Sequence, residues 1–164
     1  MRHDPPKRRR HGPIRLASGR RLFTWAVGWS LFATGAAWLA CHYFLQTMGP
    51  FGPRPSPWEP WWLRIHAAFG FMALWTFGMV WSAHIANGWA AGHRRWSGGF
   101  AFAVIAGLVI TGYLTYYLID DTWHEWVSLI HWVVGLALPV VVVTHVMRGR
   151  KARRKPVPPP SGYP

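Results

Sequence analysis

Acidic residues and cysteine are both scarce in this chain of 164 residues. Five Asp and Glu stand against 18 Lys and Arg, for a formal charge of +13, and there is one Cys. A lone cysteine, Cys41, excludes an intrachain disulfide. No Gly-rich nucleotide loop, flavin motif or nucleophile–base set occurs, which leaves no complete catalytic apparatus to assign. The basic surplus lacks the aromatic interleaving or recognisable module of a nucleic-acid binder, so no nucleic-acid partner is expected. Its simpler reading is topology anchoring and attraction to anionic lipid.

The scarcity of charge is most complete in four long stretches. Phe23 to Leu45, Trp61 to Ala86, Phe100 to Ile119 and Trp123 to Met147 carry no Asp, Glu or Lys in their interiors. Each reaches the roughly 20 apolar residues that a helix needs to cross a bilayer. Backbone polar groups cannot face lipid unsatisfied, so such runs must be helices. The expected fold is an all-α membrane four-helix bundle.

The basic residues also suggest an orientation. Eight precede the first run, from Arg2 to Arg21. Two, Arg94 and Arg95, lie between runs two and three, and six follow run four, from Arg148 to Lys155. Only Arg54 and Arg64 fall on the other side, with four of the five acids: Glu59, Asp120, Asp121 and Glu125. Basic loops stay inside, so both termini are expected in the cytoplasm, and the localisation follows as a bacterial inner membrane crossed four times. The organisation expected is a basic N-terminal segment over 1–20, a membrane domain over 21–148, and a basic, Pro-rich tail over 149–164. The stretch from Thr47 to Pro60, dense in proline, predicts a stiff extended connection on the outer face. The Asp120–Asp121 turn is short enough to make runs three and four an antiparallel hairpin. Tryptophans gather at run ends (Trp58, Trp61, Trp62, Trp89, Trp96, Trp123, Trp126), as an interfacial belt requires.

Histidine is the ionisable residue that recurs along the runs. His3, His11 and His93 lie in basic loops, whereas the other six lie in the runs or at their ends. Ionisable residues within a membrane are costly and are functional candidates for that reason. His66 and His84 are 18 residues apart on the second run, five whole helical turns and about 27 Å of rise. His131 and His145 are 14 apart on the fourth, nearly four turns and about 21 Å. The two runs are parallel, so His66 and His131 share an outer level and His84 and His145 an inner one. That makes two bis-imidazole sites, and neutral imidazole is a strong axial ligand for haem iron. No C-x-x-C-H is present for covalent haem attachment. Both outer histidines open H-x-x-x-G, His66 to Gly70 and His131 to Gly135, which clears the same helix face for a flat macrocycle. The unequal spacings, 18 against 14, require tilt or unequal depth for the inner pair to meet. His124, seven residues before His131, and His42 are alternative outer ligands. Arg64, two residues before His66, is the candidate partner for an outer haem propionate, with Arg94 or Arg95 for the inner one. Tyr113, Tyr116 and Tyr117 could line a quinol pocket, although interfacial aromatics read the same way. Gly28, Gly35 and Gly107 read as close helix-packing positions.

With His131, Gly135 and His145 spaced in this way, the fourth run resembles the ligand helix of b-type cytochromes. Over about residues 60 to 147 the chain resembles small bacterial four-helix di-haem cytochromes b and the cytochrome b subunits of hydrogenases and formate dehydrogenases. His66 and Gly70 match the start of the corresponding motif, and His84 departs from it by four residues. The resemblance implies two haems b (one, if only a single pair is used), quinone chemistry, and electron exchange with a partner redox protein or catalytic subunit. Membrane lipid is the other expected partner, and a homo-oligomer is compatible with this reading. Two rival readings are a haem-free membrane anchor or transporter subunit, and a stand-alone transmembrane reductase. The attached cofactor-binding segments of the latter have no counterpart in these residues.

Overall fold

A computed structural model of the chain describes residues 18–90 and 95–153. The basic N-terminal segment, His93, Arg94 and the Pro-rich tail beyond Arg153 lie outside the described residues. Helix α1 spans Ser18–Tyr43 and α2 spans Glu59–Val80. The latter runs on through a π-helical turn, Trp81–Ile85, into the short α3, Ala86–Ala90. Helices α4, Arg95–Tyr117, and α5, Asp121–Arg153, complete the chain. Four helices are long and apolar enough to cross a membrane, as the four apolar runs predict.

The connections differ in part from expectation. The proline-dense segment forms a two-stranded antiparallel hairpin, β1 (Thr47–Gly49) with β2 (Gly52–Arg54), where an extended connection is predicted. Gly52 turns this hairpin at φ +114°, a conformation that costs glycine least. Pro60 then sits in the first turn of α2, where its missing N–H is no loss. The turn between α4 and α5 is as short as predicted, and Asp120 Oδ1 caps α5 by accepting from the Trp123 N–H at 3.0 Å. Helix α5 runs to Arg153, so the first residues of the basic tail are helical.

Helix α1 packs along α2, and α4 along α5, giving two hairpins. These meet at two narrow seams. One is between α1 and α5. At the other, between α2 and α4, Phe77 stacks on Phe102 at 5.6 Å and Trp81 lies against the same ring at 5.5 Å. The helices therefore stand in the cyclic order α1, α2, α4, α5, with α2 and α5 on one diagonal. Hydroxyls that would be stranded in such a setting bond back to their own helices: Thr34 donates to the Ser30 carbonyl and Thr111 to that of Gly107, both at 2.8 Å.

Few side chains are shielded. Among the described residues only Val27, Thr34, Cys41, Ser56, Thr76 and Ala101 are buried, while Phe71, Trp75 and Val140 are each more than 60% exposed. Two features account for this. The outer surface is apolar, as lipid contact requires. The interior is a tall cavity of about 4250 Å³ that runs between the hairpins, several times the ~300–1,000 Å³ of an ordinary ligand pocket. Trp58, Trp61, Trp89, Trp96, Trp123 and Trp126 are exposed near the helix ends, where interfacial tryptophans belong.

Candidate functional site

The diagonal helices carry the histidines into this cavity. His66, His84, His131 and His145 all line it. At one level, called outer after the expected orientation, the His66 and His131 ring centres are 6.3 Å apart with an interplanar angle of 86°. At the inner level His84 and His145 repeat this at 6.3 Å and 85°. Imidazole–metal bonds are about 2.0–2.1 Å and a ring nitrogen lies about 1.1–1.2 Å from its ring centre, so two imidazoles in line on one metal put their centres about 6.2–6.6 Å apart. Both pairs have that separation. Edge-to-face packing of two rings covers a broader range, about 4.5–7 Å, and has no reason to give one value twice.

The outer pair is held by matching elements. The sequence Leu31-x-x-Thr34-Gly35 on α1 recurs as Leu108-x-x-Thr111-Gly112 on α4. His66 Nδ1 lies 3.0 Å from the Leu31 carbonyl oxygen and 3.2 Å from Thr34 Oγ1. The carbonyl can only accept, so Nδ1 carries the proton and Nε2 keeps its lone pair. His131 Nδ1 lies 3.0 Å from Thr111 Oγ1, the counterpart of the Thr34 contact. Each threonine hydroxyl already donates to its own helix, so it accepts from the ring.

Glycine makes this close approach feasible. A Cβ on Gly35 would stand 2.9 Å from His66 Cε1, and one on Gly112 would stand 3.0 Å from His131 Cε1. Gly35 is thus a seat for a histidine ring and not the helix-packing position expected of it. Gly28 and Gly107 face open space and are not close packing positions either. Gly70 faces open space and Gly135 meets only Leu108 Cδ2 at 3.9 Å, and both line the cavity. Sequence reasoning missed Gly112, Thr34 and Thr111. The repeated L-x-x-T-G was the signal that could have found them.

The inner pair is built differently on its two sides. On α4, Gly98 lies 14 residues from Gly112, the spacing of His131 and His145, and its Cβ would be 3.9 Å from the His145 ring. On the other side His84 falls within the π-helical turn. This turn is wider than an α-helical one and advances less per residue, which takes up part of the excess of 18 residues over 14.

The remaining candidates are placed elsewhere. Arg64 stacks over Trp61 at 5.1 Å and does not line the cavity. His42 pairs with Glu59 at 2.8 Å, not with either outer histidine. His124 lines the outer mouth and is exposed. Tyr113 stacks on Tyr117 at 4.4 Å, and with Tyr116 they border the same mouth. Arg21 and Arg150 line the inner end.

Comparison with protein-family models, curated proteins and solved structures finds no match. The functional reading rests on the site's geometry. Among the described residues no group of three or more His, Cys, Asp or Glu is placed to hold a metal ion. Two imidazoles per level suit a metal whose other ligands belong to a prosthetic group, as in haem. The open space beside the glycines on both ligand helices fits a macrocycle of that kind.

Proposed function

We propose that the protein is a b-type cytochrome that carries electrons across or within the membrane through two bis-histidine haems. One observation carries the reading: two histidine pairs at one separation and one angle, stacked at the two ends of a single transmembrane cavity. His66 and His131 would hold the outer haem, and His84 and His145 the inner one. When bound, haem supplies reversible one-electron chemistry at iron. The chain's own groups do the rest. The Leu31 carbonyl with Thr34 and Thr111 fixes the orientation of the outer imidazoles. Arg21 and Arg150, at the inner mouth, are cationic partners for propionates on that side. Basic-residue asymmetry supports an orientation with both termini in the cytoplasm of a bacterial cell. Quinone and a partner redox protein or catalytic subunit are the proposed neighbours in electron transfer.

Purified protein is expected to show a b-type Soret band and two haems per chain in a pyridine haemochrome assay. A colourless protein would remove the reading in favour of a haem-free anchor or transporter subunit. Thr34→Val and Thr111→Val are expected to weaken haem retention at the outer site by about 10–100-fold, the usual cost of losing a partner behind a metal-bound imidazole. Titration of haem into apoprotein measures this, and unchanged affinity in both variants would argue against the hydrogen-bonding role.

A further inference from the structure

The segment that joins α1 to α2 exposes more apolar surface than a solvated loop should. From Phe44 to Trp58 it has no acidic residue and one basic one, Arg54. Phe44, Met48 and Phe51 are 83%, 84% and 96% exposed, and Trp58 is exposed beside them. The strand register gives the hairpin two unlike faces, because residues directly opposite in an antiparallel pair point the same way. Thr47 pairs with Arg54, and Met48 with Pro53. One face therefore carries Thr47 and Arg54, and the Arg54 side chain lies along it over Gly49. The other carries Met48 and Pro53, with Phe51 at the tip between them.

None of residues 44–58 lines the cavity, so the apolar face is not a lid over the histidines. Three observations point to lipid as what covers it. The exposed apolar surface is continuous with that of the two long apolar helices, through Tyr43, Phe44 and Leu45 on one side and Trp58 and Trp61 on the other. The backbone is largely self-sufficient, as entry into lipid requires. The Phe44 and Leu45 N–H groups donate to the Ala40 carbonyl at 3.0 and 3.1 Å, and the two strands bond each other. Pro50, Pro53, Pro55 and Pro57 have no N–H to satisfy, which also blunts the edge that a protein strand would need. Finally, the lone cation stands on the face opposite Met48, where it complements lipid phosphates, and no acid in the segment opposes it.

We propose that this hairpin lies in the lipid–water boundary, with Met48 and Phe51 immersed among the acyl chains and Arg54 at the headgroup phosphates. It is an interfacial anchor separate from the four long helices. The extended, solvated connection that its prolines suggest is replaced by a two-faced element, polar toward the headgroups and apolar toward the chains. The anchor rests on the membrane setting alone and not on the electron-carrier reading.

Site-directed spin labelling of the full chain tests this, in vesicles of phosphatidylcholine and phosphatidylglycerol. Cys41→Ala removes the buried native thiol, and Met48→Cys, Phe51→Cys or Thr47→Cys then supplies one labelling site at a time. Two relaxation agents are compared: oxygen, which concentrates among acyl chains, and a water-soluble nickel chelate. The ratio of oxygen to chelate access is expected to be several-fold higher at positions 48 and 51 than at 47. Equal ratios at all three positions, with the chelate dominant, would put the hairpin in water and overturn the proposal. Labels at 48 and 51 that are shielded from both agents would put protein on the apolar face, a partner or a second copy of the chain, and overturn it as well. The readout needs no haem. A colourless chain with immersed labels sinks only the electron-carrier reading, and a haem-loaded chain with labels in water sinks only the anchor.

Discussion

His131→Ala is expected to reduce haem content from two per chain to about one and leave the inner haem's spectrum intact, since bis-histidine ligation fails when either axial partner is lost. His66→Ala should do the same, because the two rings face one another at 6.3 Å across the outer level. His84→Ala and His145→Ala should remove the other haem, because they form the inner pair. The double variant His66→Ala/His131→Ala should look like either single variant, with about one haem, whereas His66→Ala/His145→Ala should retain none. Pyridine haemochrome content, with potentiometric titration to identify which haem remains, reads this pattern directly. Independent losses that fail to group by level would reject the pairing. The alternative ligands are tested in the same series: His42→Ala and His124→Ala should keep both haems.

Valine at Gly35 or Gly112 should abolish the outer site with similar completeness, although neither residue bears a ligand. Even the Cβ of alanine would come within 2.9 Å of His66 Cε1 at Gly35, and within 3.0 Å of His131 Cε1 at Gly112. The rings cannot retreat without leaving their bonds to Thr34 and Thr111. Forcing extra carbon into such a contact commonly costs about 1–3 kcal/mol, and here the side chain that must move is the ligand itself. Haem content of about one per chain is expected for each variant, with the inner haem unchanged. Gly107→Val provides the control, since that position faces open space and does not line the cavity. If the Gly35 and Gly112 variants bind two haems as the control does, the seat has been misassigned.

Much of the architecture could be read in the chain because the membrane leaves little choice. A long apolar run has only one way to satisfy its backbone in lipid, and the four runs are four helices. The histidine levels were legible for the same reason: a helix converts sequence spacing into height and face, and His66 with His131 and His84 with His145 do stand opposite one another. Arg64 shows where this reasoning stops. Proximity to His66 in sequence made it a propionate partner, but two residues along a helix point to a different face, and its guanidinium rests on Trp61. The hairpin from Thr47 to Arg54 was hidden by its prolines, which break helices but are tolerated on a two-stranded edge.

The paired histidines thus divide into two kinds of information. Composition and periodicity alone determined that the chain has four helices long and apolar enough to cross a membrane and carries one imidazole per level on each of two parallel helices. Only the tertiary structure decided which helices stand on the diagonal, that the inner pair meets despite 18 residues on one side and 14 on the other, and that glycines on α1 and α4 seat the outer rings. Height along a helix is local and follows from a fixed rise per residue. The approach of one helix to another depends on side chains far apart in sequence, and no local pattern specifies it.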